Sequence, residues 1–384
     1  MFPTPLSTLP TPLSTQKVVV TGTRGIPTFQ GGIETHCEEL YPRLASKGFD
    51  ITVIRRKNYV KDQLTSYKGI SLYDLPTIPR KSFETMVHTF YAIWMARWKL
   101  KANIVHLHAI GPALLTPWAR MLGLKVVFTH HGPDYNRAKW GKIAKFVLHL
   151  GERIGCRFAN EVIVISTIIN DCIKRKYKRL DAHLIYNGFS QPVVVDETHY
   201  LSEIGVERHK YIFAMGRFVP EKNFHTLITA FASLQQSEFK LVIAGDADIE
   251  DNYSEDLKLI AKNKGVILTG FIKETRLQTL FSHTSLFVLP SLHEGLPIVL
   301  LEAMSYCLPV IVSDIPANRS VNLPEDCYFP PNDEFALSQL LKKKLNDIPF
   351  TVSYDLAKYN WDTIAEETAV VYRKLMNRNK SCEK

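Results

Sequence analysis

The chain has 384 residues, which is too long for one compact core and suits two domains. Its composition, 46% hydrophobic and 22% charged, is typical of globular proteins, and no apolar run is long enough to span a membrane. A formal net charge of +9 favours anionic partners, such as phosphorylated ligands or anionic lipid. The six cysteines form no C-x-x-C pair, so we expect free thiols in a reducing compartment and no zinc site.

The first part of the chain alternates between strand and helix patterns. Residues 1–16 contain TPLST twice and four prolines, which predicts a disordered leader. Short buried strands then follow at KVVVTG (17–22), DITVIRR (50–56), IVHLHAIG (104–111), KVVFTHHG (125–132) and EVIVIS (161–166). Alternation of this kind predicts a parallel, doubly wound sheet that binds ligands at the carboxyl ends of its strands.

The helix predicted over residues 82–102 is rich in aromatic residues and ends in basic ones. Its apolar residues cover much of the circumference, which favours a core helix packed on the sheet. The alternative is an interfacial helix that meets lipid head groups with its aromatic and cationic side chains.

A second alternating set follows a segment with little helix or strand pattern, residues 187–209. Its strands are predicted at 211–216, 240–245, 266–270, 286–290 and 309–314. We therefore predict an α/β protein with two Rossmann-like domains, 17–186 and 210–358, joined by a linker at 187–209. Residues 359–384 are predicted as a helix that crosses back to the first domain.

Residues 290–314 have the pattern of a strand, a helix and a second strand. The helix is predicted to open at 295–297, which would leave the backbone N–H groups of Gly295 and Leu296 free to bind a phosphate. Glu294 precedes this helix, and Glu302 lies about one and a half turns inside it. From this segment alone, a nucleotide-sugar cradle and an ordinary βαβ unit with two surface acids are both open.

The motif GRFVPEKN (216–223) opens the second domain. A strand ends at Gly216, and Arg217 and Lys222 follow on a loop at the carboxyl edge of the predicted sheet. They are either two solvated cations or a pair that grips a diphosphate opposite Gly295. Their coincidence with the Glu294–Glu302 pair favours the diphosphate grip.

GRFVPEKN and the E-x7-E pair together resemble the retaining glycosyltransferases of family 4, which have the GT-B fold. The segments GTRGIPTFQGGIETH and THHGPDYNRAKWG resemble the branch that builds bacterial surface polysaccharides, including rhamnosyl- and galactosyltransferases. The resemblance covers about residues 17 to 375. It implies two domains with a cleft between them, the first binding the acceptor and the second the nucleotide sugar.

The resemblance also implies roles for particular residues. Arg217 and Lys222 would stabilise the leaving diphosphate. Glu294 would contact hydroxyl groups of the donor sugar, and Glu302 would bind the ribose. The backbone near Phe271 would contact the base. His131 aligns with the active-site histidine of the family, and His130 beside it is less favoured. The implied catalytic residues are His131, Arg217, Lys222 and Glu294. The implied donor-binding residues are Gly31, Gly32, Gly216, Phe271, Gly295, Leu296 and Glu302.

The expected activity is transfer of a hexose or deoxyhexose from a nucleotide-diphosphate sugar to a growing, lipid-linked cell-envelope glycan. The resemblance implies front-face attack with retention, no metal and no cofactor, and the charge suggests peripheral contact with the cytoplasmic face of an anionic membrane. We expect no nucleic-acid partner. The alternative is a sugar-nucleotide epimerase of the same fold, and a hydrolase acid/base pair at Glu294 and Glu302 is disfavoured because hydrolases need no diphosphate grip.

Two further motifs carry weaker signals. Asp246 and Asp248 form a D-x-D, the metal motif of another glycosyltransferase fold, but we expect no metal role here. His106 and His108 alternate on one strand and face one side. A buried, hydrogen-bonded pair is favoured over a zinc ligand set, which would need a third partner.

Overall fold

The computed structural model describes residues 16–77, 84–137, 140–234, 238–347 and 351–380. The leader predicted at residues 1–16 lies outside the described residues except for Gln16. The described chain folds into two α/β units, each built on its own sheet, which confirms the predicted fold class. No described helix is both long enough and apolar enough to cross a bilayer.

The first sheet has eight strands in the order β3-β4-β2-β1-β5-β6-β7-β8. Only β3 runs antiparallel to its neighbour. The strands are β1 (Gln16–Thr21), β2 (Phe49–Arg56), β3 (Ser66–Tyr67), β4 (Ile70–Leu75), β5 (Ile104–His108), β6 (Lys125–His130), β7 (Glu161–Val164) and β8 (His183–Leu184). The helices are α1 (Gly32–Ser46), α2 (Glu84–Trp98), α3 (Thr116–Met121), α4 (Lys142–Phe158) and α5 (Thr167–Tyr177).

The second sheet has six parallel strands in the order β11-β10-β9-β12-β13-β14. The strands are β9 (Tyr211–Met215), β10 (Lys240–Ala244), β11 (Ile267–Leu268), β12 (Leu286–Leu289), β13 (Val310–Ser313) and β14 (Tyr328–Phe329). The helices around it are α7 (Phe224–Ala232), α8 (Asn252–Asn263), α9 (Glu274–His283), α10 (Ile298–Ser305), α11 (Pro316–Arg319) and α12 (Glu334–Asn346).

The apolar runs of the strands explain why both faces of each sheet are covered. In β1, Val18 and Val20 pack with Leu40 and Leu44 of α1, whereas Val19 belongs to the cluster on the opposite face. Successive side chains of a strand point to opposite faces, so a continuous apolar run needs helices on both sides.

Two helices lie outside this alternation. A short helix, α6 (His199–Glu203), forms inside the predicted linker because Leu201 is buried there and α6 packs on α9. The last helix, α13 (Trp361–Lys380), lies against α1, where Arg43 pairs with Asp362 at 2.9 Å. The domain boundaries stay predictions.

The helix α2 has a buried side, as a helix packed on the sheet requires, and an exposed aromatic side, whose contact with lipid stays a prediction. Ala92, Ile93 and Ala96 are fully buried and pack it onto the domain. Tyr91 and Trp98 remain 52% and 57% exposed on the other side. Residues 82 and 83 of the predicted helix lie outside the described residues.

Candidate active site

Ten of the eleven residues predicted for the site line one cleft between the two domains. They lie at the carboxyl edges of the two sheets, on segments that follow β1, β6, β9 and β12, with Gly32 at the start of α1 and Glu302 inside α10. In each sheet the order of connection reverses beside the central strand, β1 or β9, which is where ligands of such sheets bind. The predicted residues in the lining are Gly31, Gly32, His131, Gly216, Arg217, Lys222, Glu294, Gly295, Leu296 and Glu302.

Phe271 is the exception among the predicted residues. It follows β11, the outer edge strand of the second sheet and two strands away from β9. The side chain is 39% exposed and lies outside the cleft lining. The structure therefore does not bring Phe271 together with the other ten residues, because an edge strand carries it to the side of the cleft.

Two helices begin at the cleft, one from each domain. α1 begins at Gly32 and α10 at Ile298, and the N–H groups of these two residues have no acceptor in the described chain. The predicted start of α10 at 295–297 is wrong, because Pro297 is its N-cap and has extended backbone. Gly295 and Leu296 lie in the preceding loop, where their N–H groups also lack an acceptor among the described residues. Both domains thus present free donors and a positive helix end to an anion.

Arg217 and Lys222 are both paired with carboxylates. Arg217 Nη1 lies 2.9 Å from Asp248 Oδ2, and Lys222 Nζ lies 2.6 Å from Glu294 Oε1. Asp248 also pairs with Arg24 of the first domain, so one carboxylate joins guanidinium groups from both domains. Each cation has more donors than these carboxylates use, so a phosphate that enters the cleft would become a further partner of Arg217 and Lys222.

The two predicted glutamates have opposite electrostatic environments. Burial is the largest influence on Glu294 and acts to raise its pKa, but the charge and hydrogen bond of Lys222, with smaller contributions from Ser291 and His293, together lower that pKa below the ordinary value. Burial, reinforced by Glu39, raises the pKa of Glu302 to about 7 against a smaller opposing effect of Lys273. The Glu302 carboxylate has no hydrogen-bond donor among the described residues, so it is free to accept hydroxyl groups of a ligand.

The neighbouring histidines 130 and 131 have different surroundings. His131 lines the cleft. His130 is 1% exposed, with Nε2 2.9 Å from Glu152 Oε1 and Nδ1 accepting the Gly132 N–H at 3.1 Å. His130 is therefore fully engaged inside the domain, and His131 is the one that faces a ligand.

His106 and His108 are buried and stacked, with ring centroids 4.4 Å apart, as their alternation predicts. The third imidazole that a metal site would need is also present, because ring nitrogens of His36, His108 and His131 lie within 4.8 Å of one another. However, both ring nitrogens of His108 already have partners, and His36 Nδ1 lies 3.0 Å from Asn187 Oδ1. A metal would have to break these hydrogen bonds, so the trio fits a hydrogen-bonded cluster better than a ready ligand set.

Glycine is required where the domains meet. A Cβ on Gly295 would lie 2.0 Å from the backbone oxygen of His131, and Gly132, whose neighbour across the cleft is Gly295, has a φ of +137° that side chains disfavour. At Gly31, with φ of +149°, a Cβ would lie 2.3 Å from Glu34 Oε2, whereas Gly32 has open space. The lack of a side chain at Gly31 therefore makes room for the Arg24–Glu34 pair. Of the two glycines predicted to let the backbone come close to a ligand, Gly32 is the one with free space beside it.

The D-x-D carboxylates are held by cations. Asp248 binds two arginines, and Asp246 Oδ1 lies 3.0 Å from Lys258 Nζ. The absence of a metal role at this motif stays a prediction.

The sequence matches two family descriptions that together span most of the chain. Residues 30–190 match "Glycosyltransferase Family 4", and residues 201–359 match "Glycosyl transferases group 1". The chain belongs to glycosyltransferase family 4. The predicted family is thereby confirmed.

Relatives of this glycosyltransferase align over most of their length. An uncharacterized glycosyltransferase of Methanocaldococcus jannaschii is 27% identical over 90% of this chain and 95% of its own. The UDP-Gal:alpha-D-GlcNAc-diphosphoundecaprenol alpha-1,3-galactosyltransferase of Escherichia coli is 28% identical over 79% of this chain and 81% of its own.

Solved structures share the GT-B fold of this glycosyltransferase. Sucrose-phosphate synthase from Thermosynechococcus elongatus has a TM-score of 0.81 at 22% identity and covers 94% of this chain and 100% of its own. Anabaena HepE, solved with UDP and glucose, has a TM-score of 0.76 at 16% identity, with the same coverage. At such identities the likeness concerns the fold alone.

Several cleft residues of the glycosyltransferase escaped the sequence analysis. Arg137 is a third cation in the lining, and Asp134 beside it is the main cause that raises its pKa. Glu34 is buried and holds the Gly-rich loop through the Arg24 side chain at 3.1 Å. Asn187 donates to the Leu296 carbonyl at 3.0 Å and so fixes the loop before α10. Arg137 and Glu34 lie inside the two segments of the first domain that resemble the family, but nothing in the sequence showed that they face the cleft.

Proposed function

We propose that this glycosyltransferase moves a hexose or deoxyhexose from a nucleotide-diphosphate sugar to a lipid-linked cell-envelope glycan, with retention and without a metal. The observation that carries the proposal is the set of cations and free N–H groups that line the cleft between the domains. Free N–H groups at the starts of α1 and α10 meet Arg217 and Lys222 there. Such a site opposes the charge that develops on a leaving diphosphate.

The leaving-group chemistry follows from these charges. When the bond between the anomeric carbon and the phosphate oxygen breaks, positive charge grows on the sugar and negative charge on the diphosphate. Arg217, Lys222 and the start of α10 stabilise the diphosphate. The acceptor hydroxyl attacks the same face of the sugar, and its proton passes to the departing phosphate oxygen. Glu294 is tied to Lys222 at 2.6 Å, which supports a role in holding sugar hydroxyls instead of attacking the anomeric carbon.

Ribose recognition is assigned to Glu302. Its carboxylate lines the cleft one turn below the start of α10, and it lacks a partner among the described residues. A carboxylate accepts two hydroxyl groups of a ribose well, as in other nucleotide sites of open α/β sheets. The backbone near Phe271, which follows the edge strand β11 of the second sheet, is proposed to contact the base of the nucleotide.

The printed activities of relatives support the choice of substrates. The Escherichia coli relative is named for a UDP-galactose donor and a diphosphoundecaprenol-linked acceptor, and the Anabaena neighbour was solved with UDP. These names favour a nucleotide-diphosphate donor and a lipid-linked acceptor for this chain.

A ligand screen followed by product analysis tests the proposal. Thermal unfolding is measured with UDP, GDP, dTDP and their sugars, because a ligand that binds the folded state raises the melting temperature with the logarithm of its concentration. One nucleotide series should stabilise the wild type and not Arg217→Ala. With the matching sugar, EDTA and a lipid-linked acceptor, the product should keep the anomeric configuration of the donor. An isomerised donor without transfer would instead indicate an epimerase, and an inverted product would overturn retention.

The membrane part of the proposal rests on one surface of the first domain. We call it the aromatic–basic face and define it by α2, α3 and α4, which pack in a row. Its apolar side chains are strongly exposed, and its basic residues have few acidic neighbours. The exposed apolar members are Tyr91, Trp94, Trp98, Met121, Ile143 and Phe146, and the basic members are Arg97, Lys142, Lys145, Arg153 and Arg157. Exposed aromatic residues next to cations suit the surface of an anionic membrane.

Liposome sedimentation tests the aromatic–basic face. The wild type should bind anionic vesicles, lose binding as salt rises and bind zwitterionic vesicles weakly. Trp94→Ala/Trp98→Ala should lower binding at least about thirtyfold, since burial of each exposed indole contributes about 1–2 kcal/mol and the pair therefore at least about 2 kcal/mol. Phe335→Ala is the matched control, because Phe335 is 74% exposed on α12 of the other domain. No binding at any anionic lipid fraction, or an equal loss in the control, would contradict the membrane part.

A further inference from the structure

A chain of hydrogen-bonded side chains runs from the cleft into the core of the first domain. His131 Nε2 lies 2.8 Å from His108 Nδ1, and His108 Nε2 lies 2.5 Å from the Tyr41 hydroxyl. That hydroxyl is 3.0 Å from His106 Nδ1, which is also 2.6 Å from the hydroxyl of Tyr372 on α13. All members except His131 are fully buried. Water therefore does not reach the buried members, which must satisfy one another and, at His106 Nε2, the Thr129 hydroxyl at 2.6 Å.

The number of hydrogens in this chain is fixed. Burial raises the pKa of Tyr41 and Tyr372 well above the ordinary value, so both phenols keep their hydrogen. Burial lowers the pKa of His106, His108 and His131 well below the ordinary value, so each imidazole is neutral. A neutral imidazole has one N–H donor and one accepting nitrogen with a single lone pair.

Tyr372 determines the direction at the buried end. Its hydroxyl is closer to His106 Nδ1 than the Tyr41 hydroxyl is, at 2.6 Å against 3.0 Å. If this nitrogen accepts, its one lone pair takes the hydrogen of Tyr372. If it carries the hydrogen of His106, it accepts nothing. In both cases Tyr41 has no acceptor in His106. The Tyr372 oxygen is the other group near Tyr41, but His108 Nε2 lies only 2.5 Å from the Tyr41 hydroxyl, and we assign the hydrogen of Tyr41 to it.

We propose that Tyr41 and His108 are positioning residues that hold His131 in the tautomer with its hydrogen on Nδ1, where it is offered to the cleft. Because His108 Nε2 accepts from Tyr41, the hydrogen of His108 is on Nδ1 and is donated to His131 Nε2 at 2.8 Å. The hydrogen of His131 is then on Nδ1. That atom has no acceptor in the described part of the chain and is not enclosed.

This inference rests on the proposed function and defines what His131 does in it. With its lone pair turned inward to His108, His131 acts as an N–H donor to an oxygen of the sugar or of the leaving phosphate. It is not a base toward the acceptor hydroxyl, which agrees with transfer of that proton to the leaving phosphate. The chain also ties the site to α13 through Tyr372.

The tautomer is measured on the free protein by long-range ¹⁵N–¹H correlation spectra of its histidine rings, with His131 assigned through His131→Gln. The wild type should show a protonated Nδ1 and an unprotonated Nε2 on His131. Tyr41→Phe removes the hydrogen given to His108 and should mix the two tautomers. A wild-type His131 protonated on Nε2, or an unchanged Tyr41→Phe spectrum, would overturn the proposal. No donor sugar is needed, so this result is separate from any failure of the proposed function.

Kinetics of two His108 variants provide the second readout. His108→Gln keeps the direction of the chain, because its amide oxygen can accept from Tyr41 and its amide nitrogen can donate to His131. His108→Leu can do neither. The kcat of His108→Leu should fall at least about tenfold, and that of His108→Gln should stay within about threefold of the wild type. Donor KM should change little in either variant. His88→Phe, which replaces a histidine that is 1% exposed and outside the chain, is the fold control. Equal losses of kcat in Gln and Leu would refute the positioning role.

Discussion

Replacing Lys222 by alanine removes the cation that is best placed to oppose the leaving diphosphate. Lys222 Nζ lies 2.6 Å from Glu294 Oε1, and its side chain is 17% exposed. Two unit charges about 4 Å apart in a half-buried site interact by about 4 kcal/mol at an effective dielectric constant of about 20. Loss of one preorganised donor at a developing anion typically costs about 3 kcal/mol, so kcat should fall about a hundredfold. The variant also leaves Glu294 unpaired and facing the incoming phosphates, which should raise donor KM.

The assay is steady-state transfer with the nucleotide sugar that stabilises the wild type most. Lys258→Ala is the matched control, because Lys258 is paired with Asp246 at 3.0 Å beside the same sheet edge but lies outside the cleft lining. Its kcat should match the wild type. In Lys222→Ala, the pKa of Glu294 should rise, since Lys222 is the main influence that lowers it. A kcat for Lys222→Ala within about threefold of the wild type would refute the reasoning, since one lost contact is expected to matter far more.

Two other changes test neighbouring parts of the cleft. Because burial raises the pKa of Glu302 to about 7, the ribose-binding carboxylate forms only as the pH rises through that value, and donor KM should fall over that window. The same raised pKa makes the folded state less stable as the pH rises from the ordinary glutamate pKa to about 7. Glu302→Gln should therefore raise the melting temperature most above about pH 7, and it should abolish the pH dependence of donor KM. A wild-type donor KM that does not change with pH would contradict this assignment. Gly295→Ala places a Cβ 2.0 Å from the His131 backbone oxygen, which should force the domains apart and lower kcat at least about tenfold. Gly141→Ala is the control, because a Cβ there meets open space, and its kcat should match the wild type. Small-angle scattering that shows no opening of Gly295→Ala would count against this explanation.

Most of the fold could be predicted because the core strands are continuous apolar runs separated by helix patterns. KVVVTG and KLVIAG carry this signal strongly, and both form buried strands. The hairpin β3–β4 was missed because its segment, SYKGISLYDL, is short and half polar. The helix α6 was missed for a related reason: its five residues follow a stretch without periodicity, and only the burial of Leu201 in the folded chain defines it.

The site could be predicted where a motif places several residues on one loop. Arg217 and Lys222 share such a loop, and Glu294 and Gly295 share another, so their meeting needs only that β9 and β12 are neighbouring parallel strands of one sheet. The contacts between distant segments could not be predicted in this way. Tyr372 is 266 residues from His106, and Asp248 joins arginines of both domains only after the domains have docked.

The central claim is that this cleft transfers a sugar from a nucleotide diphosphate to a lipid-linked acceptor. The most direct measurement is NMR of the product that the wild type forms from the stabilising nucleotide sugar and a lipid-linked acceptor in the presence of EDTA. We predict a glycosidic bond with the anomeric configuration of the donor, formed about a hundredfold more slowly by Lys222→Ala. A product of inverted configuration, or no transfer until a divalent metal is added, would contradict the account.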